Sequence, residues 1–162
     1  MTRDEPPTRR DLKVNVSEAS KALVLDSTPN GHILVTGHQN QVIKFWDSDT
    51  FSEKYTYNVP SSVTQIGFSK RREIMATSDN QNQLNLYSMW PPSKQYSIYH
   101  KSRINAFCFA KTQDLVAAAC DDRSILVWNI NRKNSNSVSY VSTRTVTSVD
   151  FPATDSYMVT GH

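Results

Sequence analysis

Apolar and polar residues alternate over short runs along most of the chain, and polar turn residues separate the runs. Two sets of four runs are the clearest predicted strands: Val63–Phe68, Ile74–Ser78, Leu84–Ser88 and Tyr96–Tyr99, then Ile104–Phe109, Leu115–Ala119, Ile125–Asn129 and Val138–Val141. β-Branched and aromatic residues, which favour strands, dominate these runs. Because no convincing amphipathic helix accompanies them, the pattern predicts an all-β fold.

The predicted strands recur with a fixed period. Trp46, Tyr87 and Trp128 are each separated by 41 residues, and the tetrapeptide Val-Thr-Gly-His at 35–38 returns at 159–162, three periods plus one residue later. Self-similarity at such a spacing is the signature of repeat architectures. The second tetrapeptide therefore occupies the corresponding place in a fourth unit.

Two segments carry a resemblance to a known family. Ile43–Asp47 reads IKFWD and Leu115–Asn129 reads LVAAACDDRSILVWN, and both fall on the 41-residue period. Four strands in about 40–45 residues are typical of a propeller blade. Over roughly residues 20–162 the chain resembles the WD40-repeat β-propeller family. The resemblance implies four-stranded antiparallel blades in an incomplete ring of about three and a half repeats.

The expected organisation follows from the period and the resemblance. It comprises an N-terminal arm over residues 1–19, repeats over 20–58, 59–100 and 101–142, and a partial repeat over 143–162. Leu12, Val14 and Val16 alternate with polar residues, so the arm is either a latch strand for the last blade or an ordered extension. Three and a half blades do not close a ring. We expect further blades from a longer form of this chain or from another chain.

The resemblance also implies structural residues. In the family, a histidine before the first strand meets an aspartate in the turn between the second and third strands, near the tryptophan of the third strand. His100, Asp122 and Trp128 match this pattern in the third repeat, and Trp46 matches the tryptophan in the first.

The first two repeats depart from the pattern. Asn40 and Gln81 stand where Asp122 stands in the third repeat, and the two Gly-His dipeptides lie at strand ends rather than before a first strand. The strand hydroxyl of the family is replaced by alanine near Ala118. These departures predict that some blades are held mainly by apolar packing.

Composition and motifs argue against catalysis. The 162 residues are 38% hydrophobic with a net charge of +3, and no segment has the ~18 consecutive apolar residues of a membrane span. No secretory signal begins the chain, and the two cysteines suit a reducing compartment, so we expect an intracellular protein, cytoplasmic or nuclear. The four histidines show no metal-ligand spacing with Cys108 or Cys120. We therefore expect no enzyme activity, metal or cofactor.

Basic residues fall in the loops of one propeller face. This predicted basic face contains Lys70, Arg71, Arg72, Lys94, Lys111, Arg132 and Lys133. Two interpretations remain open: a solvated surface, or a docking patch for an acidic protein or an RNA backbone. Aromatic residues that would stack on bases are not interleaved there, which disfavours RNA.

The opposite face offers candidate partner-binding residues. The resemblance places them at the start of the first strand and in the turn after the second: Ser62, Thr64, Asn80, Arg103, Asn105 and Asp121. The predicted function is a non-catalytic scaffold that binds other proteins in a complex. The alternative is an RNA-associated subunit of a ribosome-biogenesis or RNA-processing particle that uses the basic face. A non-catalytic part of an enzyme complex is not distinguished from the scaffold by the sequence.

Overall fold

The computed structural model describes residues 20–89, 91–131 and 137–162. The proposed latch strand and the basic residues Arg132 and Lys133 lie outside the described residues. Within these ranges the chain forms fourteen strands: β1 Ala22–Ser27, β2 Ile33–His38, β3 Val42–Asp47, β4 Glu53–Asn58, β5 Val63–Phe68, β6 Ile74–Asp79, β7 Gln83–Ser88, β8 Ser93–Tyr99, β9 Ile104–Phe109, β10 Leu115–Cys120, β11 Ser124–Asn129, β12 Val138–Val141, β13 Ser148–Asp150 and β14 Val159–Gly161. None of the described residues belongs to a helix able to span a membrane.

The strands pair in sequence order into separate antiparallel sheets. Strands β1–β4, β5–β8 and β9–β12 form three four-stranded sheets, and β13 pairs with β14 in a fourth, two-stranded sheet. We call these sheets blades 1 to 4. The all-β prediction is confirmed, and the described blades do not close a ring. The predicted repeat boundaries remain a prediction.

Strand β8 begins earlier than the sequence pattern predicts. It starts at Ser93 rather than Tyr96, and Ser93 and Lys94 pair with Ser88 and Tyr87 beyond an irregularity in the register. The first three residues of β8 are polar and exposed. Because an edge strand can be solvated on both faces, these residues carry no hydrophobic alternation that would mark them as a strand.

The same turn links the second and third strands of the first three blades. Gln41, Asn82 and Arg123 are 41 residues apart, and all three have positive φ values of 63°, 62° and 71°. This left-handed conformation is uncommon for residues other than glycine and lets the chain reverse in a tight turn. Each carbonyl then accepts a hydrogen bond from the chain that leaves the fourth strand, at 2.9–3.0 Å.

The hydrophobic cores lie between blades rather than within them. One core joins blades 1 and 2 and includes Phe45, Met75 and Tyr87. A second core joins blades 2 and 3 around residues such as Leu86 and Trp128. A third joins blade 3 to the two strands of blade 4. Blades 2 and 3 are therefore buried on both faces.

The aromatic residue of each third strand faces the preceding blade. Tyr87 packs edge-on against Tyr57 of blade 1, with ring centroids 5.7 Å apart. Trp128 likewise lies in the core shared with blade 2. Trp46 lines an apolar groove on the other side of blade 1, where Leu25 is 67% exposed. Among the described residues, no other blade covers this face of blade 1.

Candidate interaction surfaces

The candidate partner-binding residues lie on a rim with a repeated backbone geometry. We define the rim as the starts of strands β5 and β9 with the β6–β7 and β10–β11 turns. The amide of Asn80 donates to the carbonyl of Ser62 at 3.1 Å, and that of Asp121 donates to the carbonyl of Arg103 at 3.0 Å. The corresponding bond in blade 1 joins Gln39 to Lys21. These bonds hold each turn against the chain that enters the blade.

Some rim side chains serve the frame rather than the surface. The Ser62 hydroxyl donates to the Gln39 carbonyl at 3.0 Å, which links blades 1 and 2. The Asn105 amide donates to the Asp121 carboxylate at 2.7 Å and to the Val146 carbonyl at 3.0 Å.

The remaining rim candidates are exposed. They are Thr64, Asn80, Arg103 and Asp121. The Thr64 hydroxyl lies 2.9 Å from that of Ser78. The six candidates therefore divide into two framework residues and four residues that present polar groups to solvent.

The predicted basic face is largely occupied by contacts between blades. Arg72 makes two hydrogen bonds to Asp114, at 2.8 and 2.9 Å, and Arg71 donates to the Thr112 carbonyl. Lys111 pairs with Asp150 of blade 4 at 3.0 Å. The hydrogen bond from Arg72, assisted by Asn131, lowers the pKa of Asp114 to about 2. Positive charge here is thus balanced by carboxylates.

Two described lysines on this face remain exposed. Lys70 and Lys94 make no ion pair within the described ranges. The face is therefore less positive than its residue composition indicates.

Contacts between blades could have been found from the repeat period. Arg72 and Asp114 are 42 residues apart, as are Gln65 and Phe107, whose side-chain amide and backbone form two hydrogen bonds. Residues one period apart occupy equivalent places in neighbouring blades, so complementary groups at separations of about 41–44 residues are expected neighbours. Sequence reasoning considered the charges of the face without testing this separation.

Blade 3 contains the expected histidine and aspartate side by side. His100 Nε2 lies 3.2 Å from Asp122 Oδ2 and 3.2 Å from the Ser124 hydroxyl. Burial by itself would raise the pKa of Asp122, but hydrogen bonds from Ser124 and the neighbouring His100 lower it to about 2. Trp128 lies nearby in sequence on β11 and is buried in the core with blade 2.

Blade 1 uses a histidine to which sequence reasoning gave no role. The Trp46 indole N–H donates to the Thr36 hydroxyl at 2.9 Å, and that hydroxyl lies 2.9 Å from His38 Nε2. His38 is buried at the end of β2. The Gly-His dipeptide at 37–38 therefore contributes to the blade from a strand end.

Blade 2 contains a buried carboxylate that sequence reasoning missed. Asp79 ends β6 and is 2% exposed. Its two oxygens accept from the Ser61 hydroxyl and the Asn85 amide at 2.6 and 2.9 Å, and from the amides of Gln81 and Gln83 at 2.9 and 3.0 Å. Blades 1 and 2 thus contain buried polar networks in addition to the apolar core between them.

The buried residues that end the second strands share one position in the repeat, and two of them carry the polar networks of blades 1 and 2. His38, Asp79 and Cys120 are 41 residues apart, end the second strands of blades 1, 2 and 3, and are all buried. Their side chains differ in chemistry, so no common motif marks the position in the sequence. The period combined with burial at a strand end would have revealed it.

Tyr87 occupies in blade 2 the place of the tryptophans in blades 1 and 3. Burial raises the pKa of its phenol to about 12, and the Thr77 hydroxyl opposes the shift. Within the described part of the chain, neither hydroxyl has a hydrogen-bond partner of good geometry. The pair therefore replaces the Trp46–Thr36 contact of blade 1 with a less complete one.

Asp155 fastens the first two strands of blade 4 to blade 3. Its carboxylate accepts hydrogen bonds from the backbone amides of Lys111, Thr112 and Gln113 and from the Thr112 hydroxyl. Burial by itself would raise the pKa of Asp155, but these bonds lower it below its usual range. The carboxylate thus closes the loop between β9 and β10.

Replacement of Asp155 by asparagine is expected to lower the free energy of unfolding by about 1–3 kcal/mol at neutral pH, because one amide oxygen cannot accept all four bonds. Since the folded-state pKa is depressed, the contribution is present above about pH 4 and is lost as the pH falls through the folded value. Urea unfolding between pH 7 and pH 3 measures both effects. Asp150→Asn, which breaks an exposed ion pair, is the control and should cost about 1 kcal/mol or less. Equal losses in both variants would contradict the role of Asp155.

Three potential metal ligands meet in blade 3. Ligand atoms of His100, Cys120 and Asp122 all lie within 4.8 Å of one another. The fold unites residues whose sequence spacing indicates no metal site. Burial raises the pKa of the Cys120 thiol to about 11 and that of Cys108 to about 12, so neither is a reactive thiolate at neutral pH in this structure.

Four-stranded antiparallel sheets in sequence order, a 41-residue period and cores between successive sheets define the blades of a WD40-type propeller. The WD40 family, described as WD domain, G-beta repeat, matches residues 17–47 and 92–129. The chain therefore contains WD40 repeats, and proteins built from such repeats are generally non-catalytic scaffolds.

Known proteins resemble the chain over most of its length. It is 24% identical over 143 residues to the U3 small nucleolar RNA-associated protein 21 homolog of Schizosaccharomyces pombe (strain 972 / ATCC 24843), covering 87% of this chain and 15% of that protein. The crystal structure of RRP9 WD40 repeats superposes with a TM-score of 0.73 at 15% identity, over 82% of this chain and 42% of that one. The structure of U3-55K gives the same TM-score, identity and coverage of this chain, and 43% of its own. The chain thus spans less than half of the length of each of these three proteins.

Proposed function

We propose that the chain is a scaffold subunit of a ribosome-biogenesis particle of the U3 small nucleolar RNA type, and that its rim binds protein partners. The name of the fission-yeast relative supports the kind of particle. The proposal places the protein in the nucleus, in the nucleolar compartment, and gives it no catalytic step of its own.

The observation that carries the mode of binding is the fixed geometry of the rim. Asn80 and Asp121 each begin a turn whose backbone is hydrogen-bonded to the entrance of its blade. Side chains on a preorganised backbone lose little conformational entropy when a partner docks. The exposed rim residues therefore present polar groups from fixed backbone positions, and complementarity of shape and charge selects the partner. These residues are Thr64, Asn80, Arg103 and Asp121.

The opposite face supports an RNA contact less well. Lys and Arg side chains must be free of other partners to neutralise the phosphates of an RNA backbone. On this face, however, Arg72 and Lys111 are paired with carboxylates. Arg71 is committed to a backbone carbonyl. Association with an RNA-containing particle through other proteins is consistent with both the relative and this charge balance.

The test is affinity purification of the tagged protein from cells of its source organism, followed by measurement of the RNA and proteins that are recovered with it. Wild-type protein should enrich a U3-type small nucleolar RNA together with particle proteins. The double variant Asn80→Ala/Arg103→Glu should reduce the recovery of both about tenfold, because central polar and arginine contacts each contribute about 1 kcal/mol or more at interfaces. Lys94→Glu, an exposed change of the same charge on the opposite face, is the matched control and should bind as wild type.

The outcomes separate the two modes of binding. Loss of RNA recovery in Lys94→Glu but not in the rim variant, with purified protein binding RNA in a steeply salt-dependent manner, would establish the RNA-contacting alternative instead. Absence of any U3-type RNA with the wild-type protein would overturn the assignment to this particle.

A further inference from the structure

We propose that His100, Cys120 and Asp122 form a binding site for a zinc-like divalent transition-metal ion beside the rim of blade 3. The three side chains offer one imidazole nitrogen, one sulfur and one carboxylate oxygen, and their ligand atoms lie within 4.8 Å of one another. This proposal is independent of the proposed function, because it concerns a ligand of the chain itself.

The topology brings the three residues together from distant parts of the repeat. His100 follows β8, and its amide donates to the Asn82 carbonyl at 3.0 Å, which anchors it at the entrance to blade 3. Cys120 ends β10 and pairs with Ile104, the first residue of β9. Asp122 lies in the following turn, and its backbone amide donates to the Ser102 hydroxyl at 3.1 Å. Each ligand is therefore held by the backbone.

The distances suit a small tetrahedral ion. Zinc bonds of about 2.0 Å to nitrogen and oxygen place two such ligands roughly 3.3 Å apart, and His100 Nε2 lies 3.2 Å from Asp122 Oδ2. A sulfur at about 2.3 Å from the ion would lie roughly 3.5 Å from either partner. Because the present separations reach at most 4.8 Å, a movement of the thiol of roughly 1 Å completes the set.

The donor types select the class of metal. Thiolate and imidazole prefer zinc, cobalt and related ions, whereas calcium and magnesium prefer oxygen ligands. The thiol proton leaves to solvent when the sulfur binds the ion. The metal also replaces the hydrogen bond between His100 Nε2 and Asp122, so the imidazole binds as the neutral tautomer with its proton on Nδ1. The Ser124 hydroxyl, 3.2 Å from His100 Nε2, or a water molecule can take the fourth position.

The surroundings of the proposed site let a metal ion enter from solvent, and they also contain a lysine that competes with the ion for Asp122. The side chains of His100 and Asp122 are 13% and 23% exposed, which leaves a route from solvent. Lys101 lies 3.5 Å from Asp122 and must turn outward when a cation binds. The equivalent strand ends of blades 1 and 2, at His38 and Asp79, carry polar networks. At the equivalent strand end of blade 3, Cys120 supplies a sulfur ligand to the proposed metal site.

Cobalt(II) titration of the reduced 162-residue chain tests the site, because thiolate coordination produces a near-ultraviolet charge-transfer band. One cobalt per chain should bind, and zinc should bleach the band. Cys120→Ala should abolish it, whereas Cys108→Ala, which removes the other cysteine, should retain it. Asp122→Asn should weaken cobalt binding by about tenfold or more while the thiolate band persists at saturation.

Three results would overturn the site. They are no charge-transfer band in the wild-type chain, equal loss of the band in both cysteine variants, and wild-type affinity in Asp122→Asn. If Cys120→Ala fails to fold, the affinity of Asp122→Asn still decides the assignment.

Discussion

Trp128→Ala is expected to lower the free energy of unfolding by about 3–5 kcal/mol, the usual cost of truncating a buried aromatic residue. Trp128 is 7% exposed and lies in the core that joins blades 2 and 3. Its removal leaves a cavity against strands that belong to two different sheets, and neither sheet can close it without moving the other. Urea unfolding monitored by far-ultraviolet circular dichroism measures the loss.

Trp46→Ala is the matched control for this prediction. Trp46 occupies the equivalent position two repeats earlier, but it lines the apolar groove that no described blade covers. Its truncation removes the hydrogen bond to Thr36 and part of its packing, at a cost of about 1–2 kcal/mol. Equal losses for the two tryptophans would mean that the face of blade 1 is covered as well as the core of blades 2 and 3.

Asp79→Ala is expected to cost roughly 2–4 kcal/mol, because each buried donor that loses its acceptor costs about 1–3 kcal/mol. Four donors bond to this carboxylate, and the Ser61 hydroxyl and the Asn85 amide are buried with it. The substitution therefore frees the β6–β7 turn and leaves unpaired groups inside blade 2. The free energy of unfolding at pH 7 is the measurement.

Asp49→Ala supplies the comparison for Asp79. Asp49 is exposed in the turn after β3, so its removal should change the free energy of unfolding by no more than about 0.5 kcal/mol. Hydrogen exchange at the amides of Gln81 and Gln83 should accelerate in Asp79→Ala and remain unchanged in Asp49→Ala. Unchanged exchange in Asp79→Ala would show that other contacts hold the turn.

The architecture was predictable because the period of the repeat is visible in large apolar residues. Trp46, Tyr87 and Trp128 mark equivalent third strands, and the alternation around them marks their neighbours. The first residues of β8 were missed because an exposed edge strand needs no apolar face. Alternation of apolar and polar residues results from burial of one strand face, so the sequence reveals a strand only where one of its faces is buried.

The polar networks were predictable only in blade 3. His100 and Asp122 follow the family pattern and lie 3.2 Å apart. His38 and Asp79 build their networks from a different position, and different chemistry at one position leaves no shared motif. The charge balance of the basic face was not visible locally, because the partners of Arg72 and Lys111 belong to the next blade.

The location of the cores between blades has a consequence for the order of folding. Each sheet forms from strands adjacent in sequence, so its loops close at small entropic cost, but a single sheet buries little until a neighbour docks. Blades 2 and 3 have partners on both faces, whereas blade 1 has one described partner and blade 4 has two described strands. For the described blades, we therefore expect docking to begin at the central pair and to extend outward in both directions. We expect the described blades to unfold first at blades 1 and 4, because each of these shares a core with only one other described blade.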